Sequence, residues 1–434
     1  MASGPPGCLL GVPLSSDGGG PAPRGGEVRR GAAAQALDGE MAKPRYVTFD
    51  PVLRPGDVLP REPAAPDPPF DDPRSRFYYM ARNALWAGAR ALGLGPGSTV
   101  LMPAYHHGIE VEVLRVLGVR FDFYPIRPDL RADPEELHRR IAAGPAAVYV
   151  THYLGRPQPI AEIRRLCDEA GVPLIEDCAL SLYGEEGGRP LGSFGDFAIF
   201  CLYKTLPVPH GGMLRWNRGG DAPPGPARRP DRLSTAAFTL HRLLDAARLG
   251  GGRLRRGAAD LATRTARLLK RLGRAEVVGV DTEELDPEML DLGVSPWVAR
   301  LARAARRAEI VSRRRRNFLR LHELAGEAAP SPLAPLGEGT CPLSYPVLAR
   351  DRAALRARLA EAGIETISFW SRHHPACPPG RFAQVDLWRR TVVELPVHQD
   401  LRDEDVDWMA HVLRRHRDLV LGREFWRPRS AARG

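Results

Sequence analysis

Pro173-Leu174-Ile175-Glu176-Asp177 and Phe197-Ala198-Ile199-Phe200-Cys201-Leu202 are two short apolar runs, and each is closed by a charged residue, Asp177 in one case and Lys204 in the other. Runs of this length between polar, glycine-rich turns read as strands buried on both faces. Outward from them the texture repeats. The pattern predicts helices over 84–94, 109–117, 134–141 and 160–170, and strands over 99–102, 119–124, 147–153, 173–176 and 197–202. Uninterrupted alternation of apolar strands and helices predicts an α/β fold whose sheet is mainly parallel and covered on both faces. Ligands of such sheets collect at the carboxyl ends of the strands. Asp177 and Lys204 are therefore the first candidates for chemistry.

Farther along, 233–274 reads as two helical stretches broken at Gly250-Gly251-Gly252, and 296–325 as one long arginine-rich helix. After Pro342 a strand (343–348), a helix (352–362), a strand (391–394) and a helix (403–415) predict a small C-terminal α+β domain. Residues 1–44, rich in Gly, Ala, Pro and Ser, read as disordered, with Met41 a candidate true start; 45–73 reads as an extended, proline-rich arm.

The chain has 434 residues and a formal charge of +10, with 62 Lys and Arg against 52 Asp and Glu. Only Lys43, Lys204 and Lys270 are lysines; the other 59 cations are arginines. Arginine forms ion pairs and phosphate forks, whereas lysine is the residue that can give up its proton and condense with an aldehyde. Residues 218–325 hold 23 basic against 13 acidic residues, which is the whole excess. A uniformly basic nucleic-acid coat is excluded by that distribution, which points to one local basic element. Six scattered cysteines without a CxxC read as free thiols of a reducing compartment, and no apolar run is long enough to span a bilayer. A cytoplasmic protein is expected.

An aspartate and a lysine at two strand ends suit one chemistry in particular. The lysine forms an imine with a cofactor aldehyde, and the aspartate keeps a pyridine nitrogen protonated so that the ring withdraws electrons. Taken alone, an Asp after a strand is commonly a turn or cap, and a lone Lys is commonly on the surface. Here the lysine follows an apolar stretch in a chain that nearly avoids lysine.

In order and spacing these residues resemble the DegT/StrS-type sugar aminotransferases, pyridoxal-phosphate enzymes of fold type I. The resemblance rests on Gly93-Leu94-Gly95-Pro96-Gly97 with Pro103-Ala104-Tyr105, on His152 to Gly155, and on Ile175-Glu176-Asp177-Cys178-Ala179. It continues through Gly192-Ser193-Phe194-Gly195-Asp196, Lys204, Gly211-Gly212 and Leu395-Pro396-Val397-His398. It covers about 76–217 well and 290–415 more loosely. The resemblance implies a large pyridoxal-phosphate-binding domain over 74–217, a basic helical insert over 218–280, a helix with the small C-terminal domain over 281–420, and a tail over 421–434.

It also implies roles. Lys204 is the catalytic amine, and Asp177 pairs with the pyridinium nitrogen. His107 takes the place of the ring that stacks on the cofactor. Ala81 and Arg82 stand at the phosphate, with the Arg82 guanidinium as a fork; Cys201 replaces the usual phosphate-binding serine, and Ala179 lies beside the ring. Leu180 stands where the family has Gln or His, and His210 where it has an acid. The implied reaction moves an amino group, from glutamate, to a nucleotide-linked keto sugar in polysaccharide biosynthesis, within a homodimer.

Two alternatives stay open: a lyase or dehydrating variant of the fold, and a non-catalytic regulator or assembly protein that binds an acidic partner through the basic insert. Lys204 argues against the dehydrating type. The insert's densest part, 218–276, carries 14 basic and five acidic residues and suits an anionic partner, with a solvated helical face as the plainer reading. Arg313-Arg314-Arg315-Arg316 reads as surface or subunit-contact material. The pairs His106-His107 and His373-His374 lack metal-ligand spacing, so no metal site is expected.

Overall fold

In this computed structural model, residues 46–54, 57, 67–230 and 285–426 are described, with positions 235–236, 239–240 and 243 between them. The expected disordered segment 1–44, most of the basic insert, and Lys43 and Lys270 lie outside the described residues.

Strand β1 (Ser75–Tyr78) leads into helix α1 (Ala81–Ala91), followed by β2 (Thr99–Pro103), α2 (Ile109–Val116), β3 (Arg120–Tyr124), α3 (Pro134–Ile141) and β4 (Ala147–Thr151). Next come α4 (Ile160–Ala170), β5 (Leu174–Asp177), a two-stranded ribbon of β6 (Glu185–Glu186) and β7 (Arg189–Pro190), β8 (Phe197–Cys201) and β9 (Gly212–Trp216). The seven-stranded sheet runs β1-β9-β8-β5-β4-β2-β3. The five strands from β8 to β3 are parallel, while β9 and β1 close one edge antiparallel. Every residue of β4 and of β8 is buried, as strands covered on both faces require.

The antiparallel edge escapes the sequence pattern for a physical reason. Ser75-Arg76-Phe77-Tyr78 has no apolar run, and β9 opens on Gly212. Elsewhere the local signals act as expected. The Asp133 carboxylate accepts the Glu135 N–H ahead of Pro134, and α4 ends on left-handed Gly171.

The single helix expected over 296–325 is instead two, α5 (Pro296–Arg303) and α6 (Arg307–Ala325). Val298, Ala299 and Ala302 form the buried stripe of α5, and a continuous helix would carry that stripe onto Arg306. The break at Ala304-Ala305 leaves Arg306 in solvent and lets α6 bury Ile310, Phe318 and Leu321 on a new axis.

In the C-terminal part, β10 (Ser344–Leu348) and β11 (Val392–Pro396) form an antiparallel pair in which Tyr345 faces Leu395. Helices α7 (Arg352–Glu361) and α9 (Asp403–Arg415) pack beside it, and α6 lies along α9. One helix is additional to those expected. The polar stretch of α8 (Ala383–Thr391) turns only Val385, Trp388 and Arg389 inward.

Candidate functional site

Register brings the candidates to one edge of the sheet. Thr151 pairs with Asp177 and Asp177 with Ile199, so β4, β5 and β8 end together and the turn bearing Lys204 follows directly. Asp177 is the last residue of β5 and is buried. Its Oδ2 accepts a bond of 2.9 Å from the Tyr149 hydroxyl and its Oδ1 one of 2.9 Å from the Ala179 N–H. Burial, and then the nearby Glu110 carboxylate, push the Asp177 pKa up to about 6; the Ala179 N–H, Tyr149 and the Lys204 charge oppose them. A carboxyl held near 6 is ready to ionise fully when a cation is set beside it.

Lys204 lies in a turn closed on the Leu202 carbonyl, which accepts from the Thr205 and Leu206 N–H groups at 3.1 and 2.8 Å. Its Nζ stands 5.2 Å from the centroid of the Phe369 ring. A second buried carboxyl also feels the Lys204 charge. Glu394, in the middle of β11, accepts from the Ser344 hydroxyl at 2.6 Å. Burial pushes its pKa up to about 8, against the Ser344 bond, the Phe369 amide and Lys204.

A cradle forms where β8 ends. Cys201 pairs with Gly212, and a Cβ added at Gly212 would come within 2.1 Å of the Met80 carbonyl carbon and 2.4 Å of the Ala81 nitrogen. Only glycine permits that approach. It brings Cys201 to the start of α1, where Ala81 and Arg82 are the first two residues and the first turn carries no acid. Such a helix start, beside a guanidinium, suits a phosphate. His107 sits just before α2 with its ring exposed, and its N–H donates to Glu110 at 2.9 Å. The Ala179 amide is committed to Asp177. His210 is buried and stacked 4.4 Å from Tyr79. Its ring nitrogens have no partner among the described residues, and burial drops its pKa to about 4.

One cluster has metal-ligand composition but a different use. Atoms of His152, Glu176 and Cys178 lie within 4.8 Å of one another. Glu176 already accepts three backbone N–H groups, from Gly192, Phe194 and Gly195, and its fourth contact is His152 Nε2 at 3.2 Å. His152 Nδ1 accepts the Gln158 N–H. These bonds fold the turn between β7 and β8 onto β5.

Tyr149, Glu110, Phe369 and Glu394 carry no signal in the sequence that ties them to this site; only register and the packing of the C-terminal part do so. Arg314 corrects an expectation. The run 313–316 reads as surface or subunit-contact material, yet Arg314 is 1% exposed, because a helix turns only one of four successive residues inward and here that residue is an arginine.

The donor set fits pyridoxal phosphate: a buried carboxyl for a basic ring nitrogen, an amine for an aldehyde, and a glycine-permitted helix start for a phosphate. Known aminotransferases resemble the chain. Residues 81–219 match the model of the DegT/DnrJ/EryC1/StrS aminotransferase family. The chain is 33% identical over 134 residues to a GDP-perosamine synthase of Vibrio cholerae, covering 30% of this chain and 36% of that protein. It is 32% identical over 141 residues to a dTDP-4-dehydro-2,3,6-trideoxy-D-glucose 4-aminotransferase of Saccharopolyspora spinosa, covering 32% and 37%. The match thus spans little more than a third of the length of these relatives.

Among solved structures, the aminotransferase TlmJ of Streptoalloteichus hindustanus superposes with a TM-score of 0.56 at 22% identity over 79% of this chain and 85% of that one. The sugar aminotransferase CalS13 of Micromonospora echinospora does so at 0.57 and 18% over 85% and 99%. At those identities the likeness concerns the fold. The likeness to the DegT/DnrJ/EryC1/StrS aminotransferase family is carried by residues 81–219.

Proposed function

We propose that this protein is a pyridoxal-phosphate-dependent aminotransferase that moves an amino group, with glutamate as donor, to the carbonyl of a nucleotide-linked keto sugar. One observation carries the reading: Asp177 and Lys204 stand at neighbouring strand ends of one parallel sheet, and the lysine charge acts on the buried carboxyl. Pyridoxal phosphate, when bound, supplies an aldehyde for an amine and a ring that withdraws electrons. The residues of this chain do the rest. Asp177 holds the ring nitrogen, with Tyr149 and the Ala179 amide fixing its two oxygens. Lys204 offers its amine and then carries the proton to and from the substrate carbon. Ala81, Arg82, the first amides of α1 and the neighbouring Cys201 receive the phosphate. His107, exposed at the same edge, is offered to the ring face.

The sugar substrate is supported by the two relatives whose names specify GDP- and dTDP-sugar products or substrates; this is support by kinship. A homodimer and a cytoplasmic location belong to the same proposal. Among the described residues no helix is long and apolar enough to cross a membrane.

The test is direct. Purified protein with added pyridoxal phosphate should take on a visible absorption band that Lys204→Ala lacks. Single-turnover exchange against a panel of amino donors and nucleotide keto sugars then names the pair. A folded protein that stays colourless and takes up no cofactor overturns the enzyme reading and leaves the regulator that binds an acidic partner.

A further inference from the structure

Helix α6 sends one arginine to the interior, and its contacts converge on the residue after Lys204. Arg314 Nε donates to Gln399 Oε1 at 2.9 Å, Nη1 to the Pro342 and Leu343 carbonyls at 3.2 and 3.1 Å, and Nη2 to the Thr205 carbonyl at 3.3 Å. Gln399 Nε2 donates to the same Thr205 carbonyl at 3.0 Å. All these acceptors are neutral. A guanidinium held by amide oxygens alone is a costly occupant of an interior, and an apolar side chain of similar length would fill the space without that desolvation. What the guanidinium provides is direction. Its rigid fork fixes three chain segments at set angles, which lysine cannot do. The three are the turn after Lys204, the entry to β10, and the loop after β11.

The turn needs such support. On its downstream side Leu206 and Val208 are buried, yet with Pro207 they border a cavity of about 700 Å³ among the described residues, so packing on that side is incomplete. Among the described residues its backbone hydrogen bonds close on Leu202 and none reaches the C-terminal part, which supplies Phe369 beneath the Lys204 amine. The clasp of Arg314 and Gln399 is a hydrogen-bonded link between the two.

We propose that Arg314 and Gln399 are positioning residues that set the Lys204 amine over Phe369 by clamping the Thr205 carbonyl. The proposal concerns the lysine to which the aminotransferase reading assigns the chemistry, and rests on that reading for its importance to turnover. Neither residue touches the amine.

The scarcity of lysine supplies the probe. Reductive methylation with isotopically labelled formaldehyde marks only Lys43, Lys204, Lys270 and the N-terminus, and Lys204→Arg assigns the Lys204 signal in the NMR spectrum of the full chain. In the wild type the ring current of Phe369 should displace that signal from the position of an exposed lysine. Arg314→Met and Gln399→Met should each return it to the exposed position, and should slow borohydride-trapped capture of pyridoxal phosphate at Lys204 about tenfold. Arg314→Lys should recover part of the displacement at most. If Arg314→Met does not fold, Gln399→Met, which leaves the buried guanidinium in place, decides the matter.

An undisplaced signal in the wild type, or a displacement kept in both folded variants, overturns the clasp. Should the wild type capture no pyridoxal phosphate, the aminotransferase reading fails, while the NMR comparison still decides the clasp by itself.

Discussion

Glu394 offers the sharpest test of the electrostatics. It lies fully inside β11 with one hydroxyl, from Ser344, on its Oε2, and burial raises its pKa from 4.5 to about 8. A group whose pKa is raised by folding holds its proton in the folded chain while the unfolded chain loses it. Its stabilising share is complete below about pH 4.5 and is lost progressively as the pH climbs to about 8. Each pKa unit is worth about 1.4 kcal/mol, so the window amounts to roughly 5 kcal/mol.

Glu394→Gln keeps the shape and a neutral polar group but cannot ionise. Urea unfolding of both chains at intervals from pH 5 to pH 9 isolates the effect, because every other titrating group is common to the two. The two should be within about 1 kcal/mol near pH 5. From there the wild type should lose about 1.4 kcal/mol per unit relative to the variant, which overtakes it by several kcal/mol at pH 9. Because the Lys204 charge restrains the shift, Lys204→Met should carry the wild-type decline to still higher pH. Parallel pH profiles for wild type and Glu394→Gln would refute the reasoning.

Three other outcomes follow from the geometry. Tyr149→Phe removes a hydrogen bond that favours the Asp177 carboxylate, so the protonation midpoint of that carboxyl, read by carbon NMR, should rise above about 6. Gly212→Ala would put a methyl 2.1 Å from the Met80 carbonyl carbon. It should cost about 3 kcal/mol or more in urea unfolding and abolish uptake of pyridoxal phosphate, since helix α1 must shift. Glu176→Gln leaves three backbone N–H groups and His152 with a poorer acceptor, and should cost about 3–5 kcal/mol. Burial alone would raise the Glu176 carboxyl, but His152 and the backbone N–H groups outweigh it and hold the pKa below its ordinary value. Wild-type stability from this group is therefore present above about pH 4.5 and fades as the pH falls, and a melting series in acid should show that loss missing from the variant.

The parallel core of the sheet was legible because strands buried on both faces must be apolar throughout, and the chain interrupts such runs with helices of unmistakable period. Helices α3, α4 and α9 fall where their periodicity and caps put them. The placing of the two candidates was legible for the same reason: a charged residue closing a buried run has few places to go, and Asp177 and Lys204 lie at the expected edge. The antiparallel strands β1 and β9 were not, since β1 is a half-buried edge segment that needs little apolar periodicity and the buried β9 opens on a glycine, and neither was α8.

Long-range pairing decided the rest. Nothing local to Tyr149, Phe369 or Glu394 says that the first will bond Asp177 or that the others will face a lysine well over a hundred residues away; the register of β4 on β5 and the docking of β11 do. Arg314 shows the limit most plainly. As one of four consecutive arginines it reads as solvated charge, because composition registers what a residue costs to bury and not which face of the helix it occupies. Only the tertiary structure supplies the four polar contacts that let one of the four go inside. The sequence alone determined which strands could be buried and where charge would end them; packing across distant segments chose the partners.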